Sequence, residues 1–169
     1  DGDGYVDCAD PGVPDETGEW FEVHNASGAE VNLNGLLVHE MDDGDSNTEE
    51  EQFVVTEDVI VAAGGYVVFG ASADASVNGG INVDVEYSNG AFKLGNGTDD
   101  ITLSNTAGVL DSVMYNDDEF PDNKGYSLTL NPSMTTAADN DSGANWCNAS
   151  TALASGDFGT PGAANDTCQ

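Results

Sequence analysis

The first ten residues, DGDGYVDCAD, carry acidic side chains at a spacing that suits calcium. In an EF-type loop the oxygen ligands stand at positions 1, 3, 5, 7, 9 and 12, and a glycine at position 6 allows a sharp turn. If Gly4 is that glycine, the ligand positions from the third onward are occupied by Asp1, Asp3, the Tyr5 carbonyl, Asp7 and Asp10. We therefore predict a calcium loop here, with a solvated acidic linker as the alternative.

Two other acidic groups are candidates for metal binding. Asp43, Asp45 and Asn47 have the initial spacing of a calcium loop, but Thr48 stands where such a loop needs glycine. The exposed tip of a hairpin is the favoured interpretation of that segment. Asp139 and Asp141, in the stretch DNDSG, are a second candidate of the same kind.

The residue types that usually carry catalysis are scarce or lack a context. His24 and His39 are the two histidines, and neither lies in an HxxxH or HExxH pattern. No serine stands in a nucleophile-elbow sequence, and no pair of carboxylates is marked as an acid and a base. His39, with Glu40 and Asp42, is at most a partial metal site. We predict that the chain is not an enzyme.

The three cysteines predict one disulfide and an odd thiol. Cys147 and Cys168 bracket a Gly-, Asn- and Ser-rich tail, and a bridge across that loop would contribute about 3 kcal/mol. We predict this pairing, which favours an oxidising, extracytoplasmic compartment. Cys8 is then either free or paired with a residue of another chain or of an upstream segment.

Five asparagines precede Ser or Thr by two residues without an intervening proline. Glycosylation at these positions requires secretion through a machinery that performs it. The five sequons are Asn25, Asn96, Asn140, Asn148 and Asn165.

The charge is strongly one-sided, with 32 Asp plus Glu against 2 Lys plus Arg and a formal net charge of −30. Nucleic acids and anionic lipids are bound through Lys and Arg, so neither is an expected partner. No run of 18 apolar residues is present, so membrane insertion is not expected either. The acidity has two interpretations, adaptation to a saline medium or specific ion sites.

Short alternating runs rich in β-branched and aromatic residues predict an all-β fold. In the stretch at 19–25, for example, Phe21 and Val23 share one face while Glu22 and His24 share the other. About nine such strands, each ended by Asn, Asp or Gly, are typical of an antiparallel sandwich. The predicted segments are 19–25, 31–40, 51–55, 58–70 with a turn at Gly64 and Gly65, 83–88, 91–95, 100–105, 109–116 and 125–130.

Five stretches together resemble the lamin tail domain, in the form carried by secreted bacterial proteins. They are GEWFEVHNASGAEVNLNGLLV (18–38), VAAGGYVVFG (61–70), DITLSNTAGVLDSVMY (100–115), FPDNKGYSLTL (120–130) and GDFGTPGAAN (156–165). The resemblance implies an immunoglobulin-like β-sandwich with no catalytic residues. In nuclear lamins the domain contacts proteins and DNA, but this sequence lacks the basic residues that DNA contacts need.

The aspartate spacing at the N-terminus, together with Cys8, resembles the end of a thrombospondin type 3 repeat of the form DxDxDGxxDxxD. Residues 1–17 are therefore expected to form an acidic calcium-loop segment, and residues 18–169 the sandwich. Two functions follow. The chain is expected to be a non-catalytic calcium-binding module of a larger secreted or cell-surface protein that attaches to proteins. The alternative is a structural subunit that assembles with its own copies into an extracellular filament or sheath.

Overall fold

A computed structural model describes residues 13–40, 51–95, 97–121 and 123–169, and in them the backbone is almost entirely strands and loops. A helical turn, α1 (Asp15–Gly18), and a 3-10 helix at Gly143–Asn145 are the helices of these ranges, and neither is long and apolar enough to cross a bilayer. The strands are β1 (Trp20–His24), β2 (Val31–Asn32), β3 (Leu37–His39), β4 (Gln52–Val54), β5 (Ile60–Val61), β6 (Tyr66–Gly70), β7 (Val85–Glu86), β8 (Asp99–Asn105), β9 (Gly108–Tyr115), β10 (Leu128–Leu130) and β11 (Trp146–Asn148).

Two sheets dominate these ranges. One has the strand order β1-β6-β7, the other β4-β3-β8-β9, and β2 with β5 and β10 with β11 form two separate pairs. All pairings are antiparallel except that of β6 with β7. The predicted class, an all-β immunoglobulin-like sandwich, is confirmed.

Aromatic rings fill the core. Phe21 of β1 stacks on Phe69 of β6 with ring centroids 4.8 Å apart, and Phe92 meets Tyr87 edge-on at 5.5 Å. Phe69 and Phe92 are fully buried. Offset and edge-on aromatic pairs add about 0.5–1.5 kcal/mol each to the free energy of burial. A few large rings thus stabilise a sandwich whose strands are short.

The predicted turn at Gly64 and Gly65 is confirmed. Gly64 has φ of 72°, a conformation that side chains with a Cβ rarely adopt, and its N–H donates to the Asn25 carbonyl. The Asn25 N–H donates in return to the Gly65 carbonyl. The turn therefore ties the beginning of β6 to the end of β1 and sets their antiparallel register.

The prediction of a strand at 91–95 is wrong. The N–H groups of Ala91 and Phe92 both donate to the Ser88 carbonyl, which makes a turn. Phe92 enters the core from this turn, so its apolar character reflects burial without a strand.

The strand β11 was not predicted. It holds three residues and pairs with β10, where Cys147 lies opposite Thr129. Cys147 is bonded to Cys168 across a Cα–Cα distance of 5.6 Å, so the predicted disulfide is confirmed. The bridge fastens the end of the described chain to β11.

Candidate interaction surface

The long strand β9 stands at one end of the four-stranded sheet, and its side chains form the candidate interaction surface. Beyond it no further strand of this sheet lies in the described ranges. Val109, Leu110 and Met114 expose 60%, 52% and 55% of their surface. A free sheet edge that presents apolar side chains is suited to pairing with another strand.

A bulge shapes this edge. The pairing of β8 with β9 shifts between Leu103 and Ser104, so Leu103 lies opposite Asp111 and Ser104 lies opposite Val109. Leu110 is the extra residue, without a partner in the register of β8 and β9. Bulges of this kind twist an edge strand and redirect a side chain.

The chain next to β9 is acidic. Three exposed carboxylates, those of Asp117, Asp118 and Glu119, follow the strand directly. The Asn116 side chain accepts hydrogen bonds from the N–H groups of Asp118 and Glu119 at 3.0 and 2.9 Å, which fixes the turn that carries them. The exposed apolar edge is therefore flanked by negative charge.

Polar side chains of β8 bond to one another and to side chains of the neighbouring strands β3 and β9. Thr102 is fully buried, and its hydroxyl donates to the Asp100 carboxylate at 3.0 Å and lies 2.9 Å from the Ser112 hydroxyl. His39 Nε2 lies 3.0 Å from the Ser104 hydroxyl. These partners make His39 a structural strand residue.

Carboxylates meet at the end of the sandwich where β3 and β8 pair. Burial, and then the charges of Asp99, Glu51 and Asp100, raise the pKa of Glu40 to about 7. Burial also raises the pKa of Asp99, although the N–H groups of Gly95 and Asp100 donate to its carboxylate and oppose the rise. The ammonium of Lys93 pairs with Glu51 at 2.9 Å. The pairing of β3 and β8 gathers these groups, and no local sequence spacing indicates it.

The candidate metal residues fall into two groups. Asp1, Asp3, Tyr5, Asp7 and Asp10, together with Asp43, Asp45 and Asn47, lie outside the described residues, as does Cys8. Asp139 is described, and its carboxylate accepts bonds from the N–H and hydroxyl of Thr136, whereas Asp141 is exposed. Within the described ranges no three His, Cys, Asp or Glu side chains are placed to hold a metal together.

Four of the five sequon asparagines are described, and three of them use Nδ2 as a structural donor. Asn25 donates to three carbonyls, those of Ala29, Val61 and Ala62, at 2.8–3.0 Å. Asn140 Nδ2 donates to the Asp111 carboxylate and Asn165 Nδ2 to the Leu130 carbonyl. A glycan on any of these nitrogens would displace such a bond. Asn148 is half-buried and Asn96 lies outside the described ranges.

The sequence predicted β9 as a strand without predicting that its edge is free. The alternation of apolar and polar residues specifies the two faces of a strand, whereas an edge depends on which neighbours pair with it. An apolar pair at Val109 and Leu110, which interrupts the alternation, was the available signal for the bulge.

Comparison with known proteins gives a family. No curated protein matches the chain. The family model described as Lamin Tail Domain matches residues 6–117, roughly two thirds of the chain. The match begins before residue 18, where the resemblance was expected to start, and ends well before residue 165, where it was expected to end. β10, β11 and the disulfide therefore lie beyond the match.

The matched residues contain both dominant sheets and the aromatic core, and they end just after the candidate edge strand. The family consists of immunoglobulin-like domains that mediate protein interactions and are not enzymes. With the family model matching more than half of its residues, the chain belongs to the lamin tail domain family.

Proposed function

We propose that the chain is a non-catalytic, calcium-binding module of a larger secreted or cell-surface protein, and that it attaches this protein to protein partners. The observation that carries the proposal is the free edge of β9, where Val109, Leu110 and Met114 are more than half exposed. Partners add a strand to this edge, with backbone hydrogen bonds supplying affinity and side-chain contacts supplying selectivity.

The preferred partner is an extended segment with alternating basic and apolar residues. The chain carries a formal charge of −30, and Asp117, Asp118 and Glu119 lie directly after the edge strand. A positive segment is therefore attracted to the edge and a negative one is repelled. Its apolar side chains would cover Leu110 and Met114.

The disulfide between Cys147 and Cys168 supports the extracellular location. Such bonds persist in oxidising compartments and are rare in the cytosol. The acidity agrees with a surface that meets salts or calcium outside the cell.

Calcium is proposed to bind in the N-terminal segment. The support is the spacing of Asp1, Asp3, Asp7 and Asp10 around Gly4, which fits a calcium loop from its third position onward. Terbium luminescence, which reports occupancy of calcium sites, should rise saturably and fall when calcium competes. Asp3→Asn should weaken binding at least tenfold, whereas Glu30→Gln, which removes an exposed charge elsewhere, should not. Equal effects of the two variants would contradict the assignment.

The edge is tested with a labelled peptide of alternating lysine and valine, whose binding is followed by fluorescence anisotropy. Leu110→Asp and Met114→Asp should each weaken binding at least tenfold, because they place a carboxylate where an apolar contact forms. Val54→Asp is the matched control, since Val54 is 50% exposed on the opposite edge strand β4. A peptide of alternating glutamate and valine should not bind.

Loss of binding in Val54→Asp, with binding intact in the two β9 variants, would move the site to β4. Absence of any saturable binding to the lysine peptide would contradict the proposed partner chemistry.

The same free edge also suits a second candidate function, assembly of identical chains into a filament or sheath. Mutual repulsion between copies of charge −30 opposes this unless cations neutralise it. Sedimentation velocity in chelator and in millimolar calcium distinguishes the two functions. A module stays monomeric in both, whereas a structural subunit forms large assemblies in calcium that chelator dissolves.

A further inference from the structure

A cavity of about 500 Å³ is bordered by residues of β1, β8 and β9. The segment after β9 and the two last strands complete its wall. The apolar and aromatic side chains that border the cavity include Val23, Leu103, Val113, Leu128, Trp146 and Phe158. Cavities of roughly 300–1,000 Å³ with mostly apolar walls are the usual size of small-molecule sites.

Strand β8 buries its polar side chains more completely than its apolar ones. Thr102 is fully buried, whereas Ile101 and Leu103 are partly buried and pack against the aromatic core. Both of these apolar residues border the cavity. A bound apolar group would remove their remaining exposed surface from water.

Two buried polar atoms of the described wall residues lack a hydrogen-bond partner, Asn140 Oδ1 and Asp157 Oδ1. Asn140 is 8% exposed and borders the cavity, and its Oδ1 accepts no hydrogen bond. Its Nδ2 donates to the Asp111 carboxylate at 2.8 Å, which fixes the amide with Oδ1 as the free acceptor. A buried acceptor without a donor is destabilising, so a ligand that carries a donor would be favoured here.

The charges around the cavity are negative. Asp111, next to Asn140, and Glu22 of β1 both border it. Among the described residues His24 borders it, but neither Lys93 nor Lys124 does. A carboxylate or phosphate ligand would find neither lysine there, whereas an ammonium group would find carboxylates and the Asn140 oxygen.

We propose that this cavity is a binding site for a small apolar molecule that carries one ammonium group. The apolar body packs against Leu103, Val113 and Trp146, and the ammonium donates to Asn140 Oδ1 and to the Asp111 carboxylate. The site is separate from the exposed apolar side chains of the β9 edge.

Three probes with the same body test the proposal: adamantane bearing a methylamine, a methanol or a carboxylate group. The chain has two tryptophans, Trp20 and Trp146, and both border the cavity. Binding should therefore change the intrinsic fluorescence saturably. The amine should bind at least tenfold more tightly than the alcohol, and the carboxylate should not bind, because the acceptors favour a charged donor.

Asp111→Asn should weaken amine binding about tenfold and leave alcohol binding within about twofold, because it removes the charge and keeps a polar group of the same shape. Asp118→Asn removes an equivalent charge from a residue that does not border the cavity, and it should change neither. Far-ultraviolet circular dichroism checks folding. If Asp111→Asn is unfolded, Asn140→Ala replaces it and should also weaken amine binding, because it removes the Oδ1 acceptor.

Three results would overturn the proposal. One is the absence of a saturable fluorescence change with any probe. Another is carboxylate binding as tight as amine binding, which would mean that the wall does not select charge. The last is equal weakening by Asp111→Asn and Asp118→Asn, which would show a general effect of net charge.

Discussion

The carboxyl group of Glu22 lies on the outer face of β1, where the C-terminal loop covers it. Its Oε2 accepts a hydrogen bond from the Gly162 N–H at 3.0 Å, and burial raises its pKa to about 7 despite that bond. In the unfolded chain the group ionises near its ordinary value of 4.5. Between these two values the folded state binds more protons, so the contribution of Glu22 to stability falls as the pH rises.

Glu22→Gln should therefore stabilise the protein at pH 8 by about 1 kcal/mol, after allowance for solvent screening, and change little at pH 4.5. The glutamine keeps an acceptor for the Gly162 N–H. Urea denaturation at the two pH values measures the difference. Glu86→Gln, at an exposed position of β7, controls for the loss of one charge. Equal stabilisation by Glu22→Gln at both pH values would contradict the ionisation argument.

Asn25 links three segments through one side chain. Its Nδ2 donates to the carbonyls of Ala29, Val61 and Ala62, and its Oδ1 accepts from the N–H and hydroxyl of Ser27. Asn25→Ala should cost about 2–3 kcal/mol of unfolding free energy, because it leaves buried carbonyls without donors. Thermal denaturation measures this loss.

The control for Asn25 is Asn34→Ala, which removes an exposed amide that donates to the Asp58 carboxylate at 3.0 Å. It should cost about 0.5 kcal/mol or less. If both alanine variants lose the same unfolding free energy, the buried hydrogen bonds of Asn25 stabilise the protein no more than the exposed one of Asn34.

Among the elements, β10 and β11 depend on a covalent link. The disulfide joins Cys147 in β11 to Cys168 with a sequence separation of 21 residues. A bridge over such a loop contributes about 3 kcal/mol. The double variant Cys147→Ser with Cys168→Ser should expose the amides of residues 125–169 to rapid hydrogen exchange. The amides of β1, β6 and β8 should remain protected, because their aromatic core lies within the family-matched part.

Cys8→Ser is the matched control, because it removes a cysteine outside this bridge and should leave the exchange pattern unchanged. Equal loss of protection in β6 and β10 after removal of the disulfide would show that the two parts unfold as one unit.

The strands that the sequence predicted well are those with clear alternation and a strong end signal. β8 and β9 lie within a residue of their expected bounds, and the pair Gly64 and Gly65 marks the turn before β6. The strand predicted at 91–95 is wrong because Phe92 is a buried aromatic residue on a turn, and its sequence context resembles that of a strand. The sequence does not predict β11, because its three residues acquire strand geometry only by pairing with β10.

The candidate site was less predictable than the strands. The calcium loop and the segment with Asp43 rest on sequence spacing, and they remain predictions. The free edge of β9 and the cavity beside β8 both follow from which elements lie next to one another. That information is absent from the pattern of any single strand, as the fully buried Thr102 beside the partly buried Ile101 shows.

At the scale of the whole molecule, the acidity and the thin core oppose each other. A formal charge of −30 on 169 residues generates repulsion that folding increases, because it brings carboxylates such as Glu40 and Asp99 together. The aromatic core and the disulfide offset this repulsion. The balance therefore depends on ions in the medium, whichever origin the acidity has.

Raising sodium chloride from about 0.1 M to about 2 M should raise the melting temperature by roughly 5–10 °C, because salt shortens the range of the repulsion. This shift corresponds to about 2–3 kcal/mol of unfolding free energy. Differential scanning calorimetry measures this shift. Tetramethylammonium chloride at the same concentration is the control, since screening depends on ionic strength and requires no bound cation. Equal shifts in the two salts would show that general screening of charge repulsion accounts for the stabilisation.

A further, saturable rise of the melting temperature in millimolar calcium at matched ionic strength would show that specific calcium sites are also present. Loss of this rise in Asp3→Asn would place one of them in the N-terminal loop. No rise in any salt would contradict the view that repulsion limits the stability of this fold.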